Sequence, residues 1–252
     1  MIEVHEQGDV TELELDRPPV NALNPQLVEA LDTRLSEAVA GGSRAVVITG
    51  SEGMFSAGLD VPVLLRLSRE EMDEFWGSFF SLLERIATCP VPVVASLTGH
   101  SPAGGAVLAI FCDYRVMSRG DYRIGLNESQ VGLPVPELIC HAMARLVGWG
   151  NANRLLVSGE MLSPEEAQRL CLVDALADDP SATRRQAVEW AAGVAALPAT
   201  AVARTRHTVR EGLTQLFQGM DDRTRATMLE VWFSEETQKA MHALVERLAS
   251  KK

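Results

Sequence analysis

Apolar and polar positions alternate over residues 2–6 and 10–15 on either side of Gln7-Gly8-Asp9, which predicts a β-hairpin that turns at the glycine. Arg17-Pro18-Pro19 ends it. Leu27, Ala30, Leu31, Leu35, Ala38 and Val39 then recur at helical spacing, with Asn24 as the expected cap, Pro25 just inside the start and Gly41-Gly42 as the stop. Residues 45–49 form an apolar run short enough for a buried strand, and residues 50–60 a loop of small residues. A helix is predicted over 70–87, where Phe75, Trp76, Phe79, Phe80, Leu82 and Leu83 make a stripe read as core.

The next stretch, residues 89–133, organises the rest. Val91, Val93 and Val94 predict a strand, residues 99–105 a tight turn of small residues, and residues 106–111, rich in Ala and Leu, a helix. A second short strand is expected at 122–124, ending in Gly125. Helical runs follow at 134–147 and 149–157, a capped helix starts at Ser163-Pro164-Glu165-Glu166, and 172–176 reads as a strand. The remaining chain reads as helix, with breaks near Pro198, Gly212, Gly219 and Ser234. Its apolar residues, among them Met220, Met228, Trp232 and Met241, mark it as a packed region and not a tail.

Composition narrows the classes. The 252 residues can bury a sizeable core, and no stretch approaches the roughly 20 apolar residues of a membrane span. The acidic start, MIEVHEQGDV, does not read as a signal peptide, so a cytoplasmic location is expected. Cys89, Cys112, Cys140 and Cys171 lie far apart and suggest neither a zinc site nor a disulfide framework. A formal charge of −11 disfavours nucleic acid as the main partner. It also means that any polyanionic ligand must rely on local arginines, which the sequence does not single out.

Candidate chemistry concentrates in the central stretch. A helix that starts at Gly104-Gly105 presents unpaired N–H groups to an oxyanion. Glu128 follows as a lone carboxylate among Leu126, Val131 and Leu133, and Asn127 and Gln130 are placed to orient it. An oxyanion binder with a carboxylate in apolar company suggests enolate chemistry. The competing reading is a nucleophile elbow at Gly99-His100-Ser101-Pro102-Ala103, with Asp174 and His207 completing a triad. Against it, Pro102 lacks the N–H that an elbow uses for its oxyanion hole, and Ala103 replaces the relieving glycine. His100 and His141 are expected to be structural.

Five runs in order resemble the crotonase, or enoyl-CoA hydratase/isomerase, superfamily. They are Arg17-Pro18-Pro19-Val20-Asn21-Ala22-Leu23-Asn24, Phe55-Ser56-Ala57-Gly58-Leu59-Asp60, the stretch 90–113, the pattern Gly148, Ala152 and 155–159, and Ser163-Pro164-Glu165-Glu166-Ala167. Within the superfamily, Ser101-Pro102-Ala103-Gly104-Gly105 and 124–132 look most like the 3,2-trans-enoyl-CoA isomerases. The resemblance implies an α/β fold: a spiral of ββα units over 1–197 and a C-terminal helical trimerisation region over 198–252, assembled as a homotrimer or a dimer of trimers. It implies an acyl-CoA thioester substrate, with coenzyme A as part of the substrate and no separate cofactor or metal. The activity implied is isomerisation of a 3-enoyl-CoA to the trans-2-enoyl-CoA in β-oxidation of unsaturated chains. Glu128 is then the catalytic residue, the backbone N–H groups of Leu59 and Gly104 form the oxyanion hole, and Val20, Ala22, Ala57 and Asp60 bind CoA. Val107 stands where the hydratases carry a first glutamate, and a valine can neither position water nor donate a proton. Pro134-Val135-Pro136-Glu137 also departs from the hydratase pattern. A member that binds acyl-CoA without catalysis is the third reading.

Overall fold

The computed structural model describes residues 1–218 and 222–250; the expected break at Gly219 and the side chain of Met220 lie outside them. Strands β1 (Ile2–Gln7) and β2 (Val10–Leu15) form the hairpin, paired from Ile2 with Leu15 to Gln7 with Val10. Parallel strands β3 (Ala45–Thr49), β5 (Val93–Leu97), β7 (Tyr114–Ser118) and β9 (Ala175–Ala177) extend it into a six-stranded sheet. Short strands β4 (Gly53–Met54), β6 (Gly99–Pro102) and β8 (Ile124–Gly125) make a second, three-stranded parallel sheet. Strands β3, β5 and β7 are each followed by a short strand and then by helical chain, so β3–β4, β5–β6 and β7–β8 are successive turns of the ββα spiral. Side chains alternate across the main sheet. Val46, Ile48, Val93 and Ala95 face the large core, whereas Ala45, Val47 and Val94 face Ala187, Ala191 and Ala195 of helix α7 (Pro180–Ala195).

Helix α1 (Pro25–Ala40) starts as expected: Asn24 Oδ1 accepts from Leu27 N–H at 2.9 Å. The short α2 (Val61–Leu64) is capped by Asp60, and α3 (Arg69–Thr88) opens with a reciprocal capping box between Ser68 and Glu71. Then come α4 (Gly104–Phe111), a 3-10 turn (Glu128–Val131), α5 (Glu137–Ser158) kinked at Gly148, and α6 (Pro164–Arg169). The chain ends in α8 (Ala199–Gln218), α9 (Asp222–Trp232) and α10 (Glu235–Ala249).

Four expectations need correction. Residues 99–102 are strand β6 and not turn, because a four-residue strand ending at proline shows no readable alternation. Strand β7 was not expected: Arg115 interrupts its apolar pattern, yet the residue is buried because its guanidinium meets Asp174 at 2.6 Å. The strand expected at 122–124 is only Ile124–Gly125. Gly212 does not break α8, and the helix runs through it at the modest propensity cost of a glycine.

Candidate active site

The site forms where the small sheet hands over to α4. Ala103 makes the corner at φ 46° and ψ −122°, a conformation rare outside glycine, and Gly104 is the first helical residue. Opposite, the loop after β4 is fixed by buried polar contacts. Ser56 Oγ donates to Asn21 O at 2.7 Å, Asn21 Nδ2 donates to Phe55 O at 3.2 Å, and Ala57 N–H donates to Val20 O at 2.9 Å. Leu23 then bridges Leu59, its N–H donating to Gly58 O at 2.7 Å and its carbonyl accepting from Asp60 N–H at 2.9 Å. That bridge occupies the groups on either side of Leu59, so the N–H of Leu59 points away from it.

Two N–H groups therefore converge. A methyl on Gly58, whose φ is +81°, would sit 3.0 Å from the nitrogen of Gly104, and one on Gly104 would sit 3.5 Å from the nitrogen of Leu59. Neither N–H donates to a backbone carbonyl among the described residues. Two free donors side by side at a helix start are an anion site of the oxyanion-hole kind. Gly105 differs from expectation: a methyl there would meet Ser56 O at 2.5 Å, so this glycine admits the neighbouring loop and not a ligand.

Glu128 lines the same pocket as Leu59, Gly104 and Val107. The 3-10 turn that carries it is tied down on both sides. Ser129 Oγ donates to Leu156 O at 2.8 Å, Gln130 Nε2 to Gly159 O at 2.9 Å, and Thr237 Oγ1 of α10 to Gly132 O at 2.8 Å. Gln130 thus anchors the turn to α5 instead of orienting the carboxylate. Oε2 of Glu128 is buried with no hydrogen-bond partner. Loss of solvation pushes its pKa up to about 7, against a smaller lowering by its own backbone N–H.

The other walls are apolar. Trp76, Phe79 and Phe80 of α3 line the pocket with Leu133, Val135, Ile139 and, from the C-terminal helices, Met228. The aromatic stripe read as core is thus both core and pocket wall; the period of a helix face does not reveal which neighbour leaves a gap. Val107 is in the wall too, so the position of the hydratase glutamate faces the pocket and is apolar here.

The residues expected to bind CoA share one loop cluster. Asp60 Oδ2 pairs with Arg17 Nη2 at 2.6 Å, Asp60 Oδ1 accepts from Val63 N–H at 3.2 Å, and Arg17 Nη1 donates to Ala22 O at 3.0 Å. Arg17 is thus the cation that sits among them. No triad assembles around Ser101. The serine is fully buried, its Oγ has no partner, Asp174 is held by Arg115, and His207 is exposed on α8. His100 accepts from Arg123 N–H at 3.1 Å, and His141 packs edge-on against Trp149, both structural.

Comparison with known proteins gives the family. The enoyl-CoA hydratase/isomerase profile matches residues 5–251. A mouse mitochondrial enoyl-CoA delta isomerase 1 is 29% identical over 100% of this chain and 88% of its own length. A putative enoyl-CoA hydratase of Thermus thermophilus is 33% identical over 93% of this chain and 92% of its own. The crystal structure of human mitochondrial delta3-delta2-enoyl-CoA isomerase superposes with a TM-score of 0.95 at 27% identity, covering 100% of this chain and 99% of that one. The chain belongs to the enoyl-CoA hydratase/isomerase family and has the crotonase fold.

Proposed function

We propose that the protein isomerises 3-enoyl-CoA thioesters to trans-2-enoyl-CoA, with Glu128 as the one acid–base group. The observation that carries this is a single carboxylate facing Val107 beside two free N–H groups. The thioester oxygen accepts from the N–H groups of Leu59 and Gly104, which stabilise the charge that develops when C2 loses its proton. Ionised Glu128 takes that proton. The electron pair spreads as a dienolate over oxygen, C2 and C4, and the same carboxyl returns the proton at C4, leaving the double bond between C2 and C3. The steps balance without oxidant, water or metal, and coenzyme A enters only as the thiol part of the substrate. Its pantetheine and phosphates would lie along Val20, Ala22, Ala57 and Asp60, where Arg17, paired with Asp60, supplies a cation. Such a product suits the breakdown of unsaturated acyl chains, and the isomerase names of the mouse and human relatives support the reading.

Hydration is the second reading, favoured by the hydratase name of the Thermus relative. It needs a second group to hold and split water, and Val107 supplies none. The test is incubation with 3-hexenoyl-CoA. We expect the ultraviolet absorbance of a conjugated 2-enoyl thioester to appear, with no 3-hydroxyacyl product by mass spectrometry. A parallel incubation with trans-2-hexenoyl-CoA tests hydration directly: accumulation of the 3-hydroxyacyl thioester there would establish the hydratase, and release of free CoA from either thioester would restore the hydrolase.

A further inference from the structure

Among the described residues no neighbouring side chain holds the Glu128 carboxylate: Oε2 is buried without a partner, and Asn127 makes no capping bond to the 3-10 turn. The carboxylate therefore stands where its backbone puts it. Within the turn the Glu128 carbonyl accepts from the N–H groups of Gly132 and, at 3.1 Å, of Leu133. Gly132, at φ +76°, is the joint on which the turn closes, and its own carbonyl faces α10. Thr237 Oγ1 lies 2.8 Å from that carbonyl, and because a carbonyl only accepts, the threonine hydroxyl donates. Ser234 Oγ donates to the same hydroxyl at 3.1 Å, and Thr237 is 1% exposed.

The residue type at this position is informative. Thr237 lies three residues after the cap Ser234, the position at which Glu71 and Glu166 close the capping boxes of α3 and α6. A glutamate at 237 would turn back onto its own helix. The threonine instead reaches outward, to a turn 105 residues earlier in the chain. Helix α10 also packs on α2, which starts two residues after Leu59. One helix thus touches both the turn that carries the carboxylate and the segment that follows an oxyanion donor.

We propose that Thr237 is a positioning residue for Glu128: its hydroxyl, filled from behind by Ser234, fixes the carbonyl of Gly132 and so the reach of the carboxyl toward C2 of the thioester. This rests on the reading of Glu128 as the base. A carboxyl with no side-chain partner has no second restraint, so loosening the joint moves the reacting oxygen, and a displacement of about 1 Å can cost about a hundredfold in rate. Thioester binding does not pass through the joint, so the loss falls on kcat.

Thr237→Val keeps the shape and removes the donor, whereas Thr237→Ser keeps the donor. With 3-hexenoyl-CoA, and kcat expressed per folded protein from circular dichroism, we expect Thr237→Val to lose at least about tenfold in kcat with KM within about twofold of the parent. Thr237→Ser should recover to within about threefold. A purely structural bond would lower the urea midpoint of Thr237→Val and leave kcat alone; that result overturns the proposal, as does a Thr237→Ser no better than Thr237→Val. If Thr237→Val does not fold, Thr237→Ala takes its place, and if neither folds the bond is structural and the proposal fails. A second readout separates this inference from the isomerase reading. On 3-oxohexanoyl-CoA, whose C2 proton is acidic, Glu128 takes that proton, the electron pair of the C–H bond moves toward the two oxygens, and the bound enolate absorbs in the near ultraviolet without any shift of a double bond. A parent that forms this enolate but does not isomerise 3-hexenoyl-CoA refutes the isomerase, and the enolate yields of parent and variants then decide on Thr237. A parent that isomerises, beside a Thr237→Val of equal kcat and enolate yield, refutes the inference alone, and a parent that does neither refutes both.

Discussion

Ionising a carboxyl whose Oε2 is buried without a hydrogen-bond partner is costly, and the proposed isomerisation needs that cost to be met, because only the ionised form of Glu128 could take a proton from C2. With its pKa pushed up to about 7, charging it costs about 3 kcal/mol more in the fold than in the unfolded chain. The folded state therefore holds the proton more tightly. The stabilisation is fully present below the unfolded carboxyl value and is lost as pH rises through about 7. Activity runs the other way: kcat/KM should fall as pH drops below about 7, measured as a pH–rate profile with 3-hexenoyl-CoA. Glu128→Gln keeps the shape and removes both the base and the charge. We expect turnover to fall by about 100- to 10,000-fold with little change in thioester affinity, and the variant to be more stable than its parent at pH 8 by up to about 3 kcal/mol in urea. The difference in stability should vanish near pH 4. A variant within about tenfold of the parent, about 1.4 kcal/mol, would show that another residue moves the proton.

At the scale of elements, the corner from β6 into α4 holds two adjacent glycines with different duties. A methyl on Gly104 would meet the far end of Leu23, Cδ1 at 2.9 Å, which can yield; one on Gly105 would meet the backbone oxygen of Ser56, which cannot. Gly104→Ala should therefore cost less stability than Gly105→Ala yet lose at least about tenfold in kcat, because the methyl, 3.3 Å from the backbone Cα of Gly58, makes the chain beside the Leu59 donor give way. Gly105→Ala should lose about 1–3 kcal/mol of stability on overpacking; urea midpoints and kcat for the pair check both halves. The element order around this corner was legible because strand, small-residue turn and apolar helix differ sharply in composition. Strand β7 was not, since a charged residue in a central strand reads as a break until its partner, Asp174, is known to be 59 residues on. The aromatic wall reads as core for a similar reason: Trp76, Phe79 and Phe80 are buried, and only the three-dimensional gap beside Glu128 makes them pocket.

Across the whole molecule, helix α8 is joined to the spiral by a buried ionic knot. Asp113 accepts from Arg206 Nε at 3.0 Å and from Arg210 Nη1 at 2.9 Å, partners 93 and 97 residues away, a span over which the sequence could show the Asp but not its purpose. The same guanidinium groups cap helix ends. Arg206 donates to Ile86 O at 2.9 Å and to Cys89 O, and Arg210 donates to Ala87 O at 3.1 Å and to Phe111 O, satisfying carbonyls that α3 and α4 leave open. Burial drives the pKa of Arg210 down to about 10, with Asp113 opposing the fall. The knot holds α8, while α9 and α10 also meet the spiral directly, through Arg225 Nε and Asp73 at 2.9 Å, Met228 in the pocket and Thr237 against the Glu128 turn. The homotrimer implied by the family resemblance is our expectation for the assembly, and light scattering at micromolar concentration checks it. The knot makes a prediction that does not depend on assembly. Asp113→Ala leaves two arginines buried beside each other with carbonyls but no counter-charge, an imbalance that typically costs about 3–5 kcal/mol. We expect the urea midpoint, followed by circular dichroism, to drop accordingly. The double variant Asp113→Ala with Arg210→Met, which removes the excess charge, should recover part of the loss; no recovery would mean that the caps on α3 and α4, and not the ion pairs, hold α8 in place.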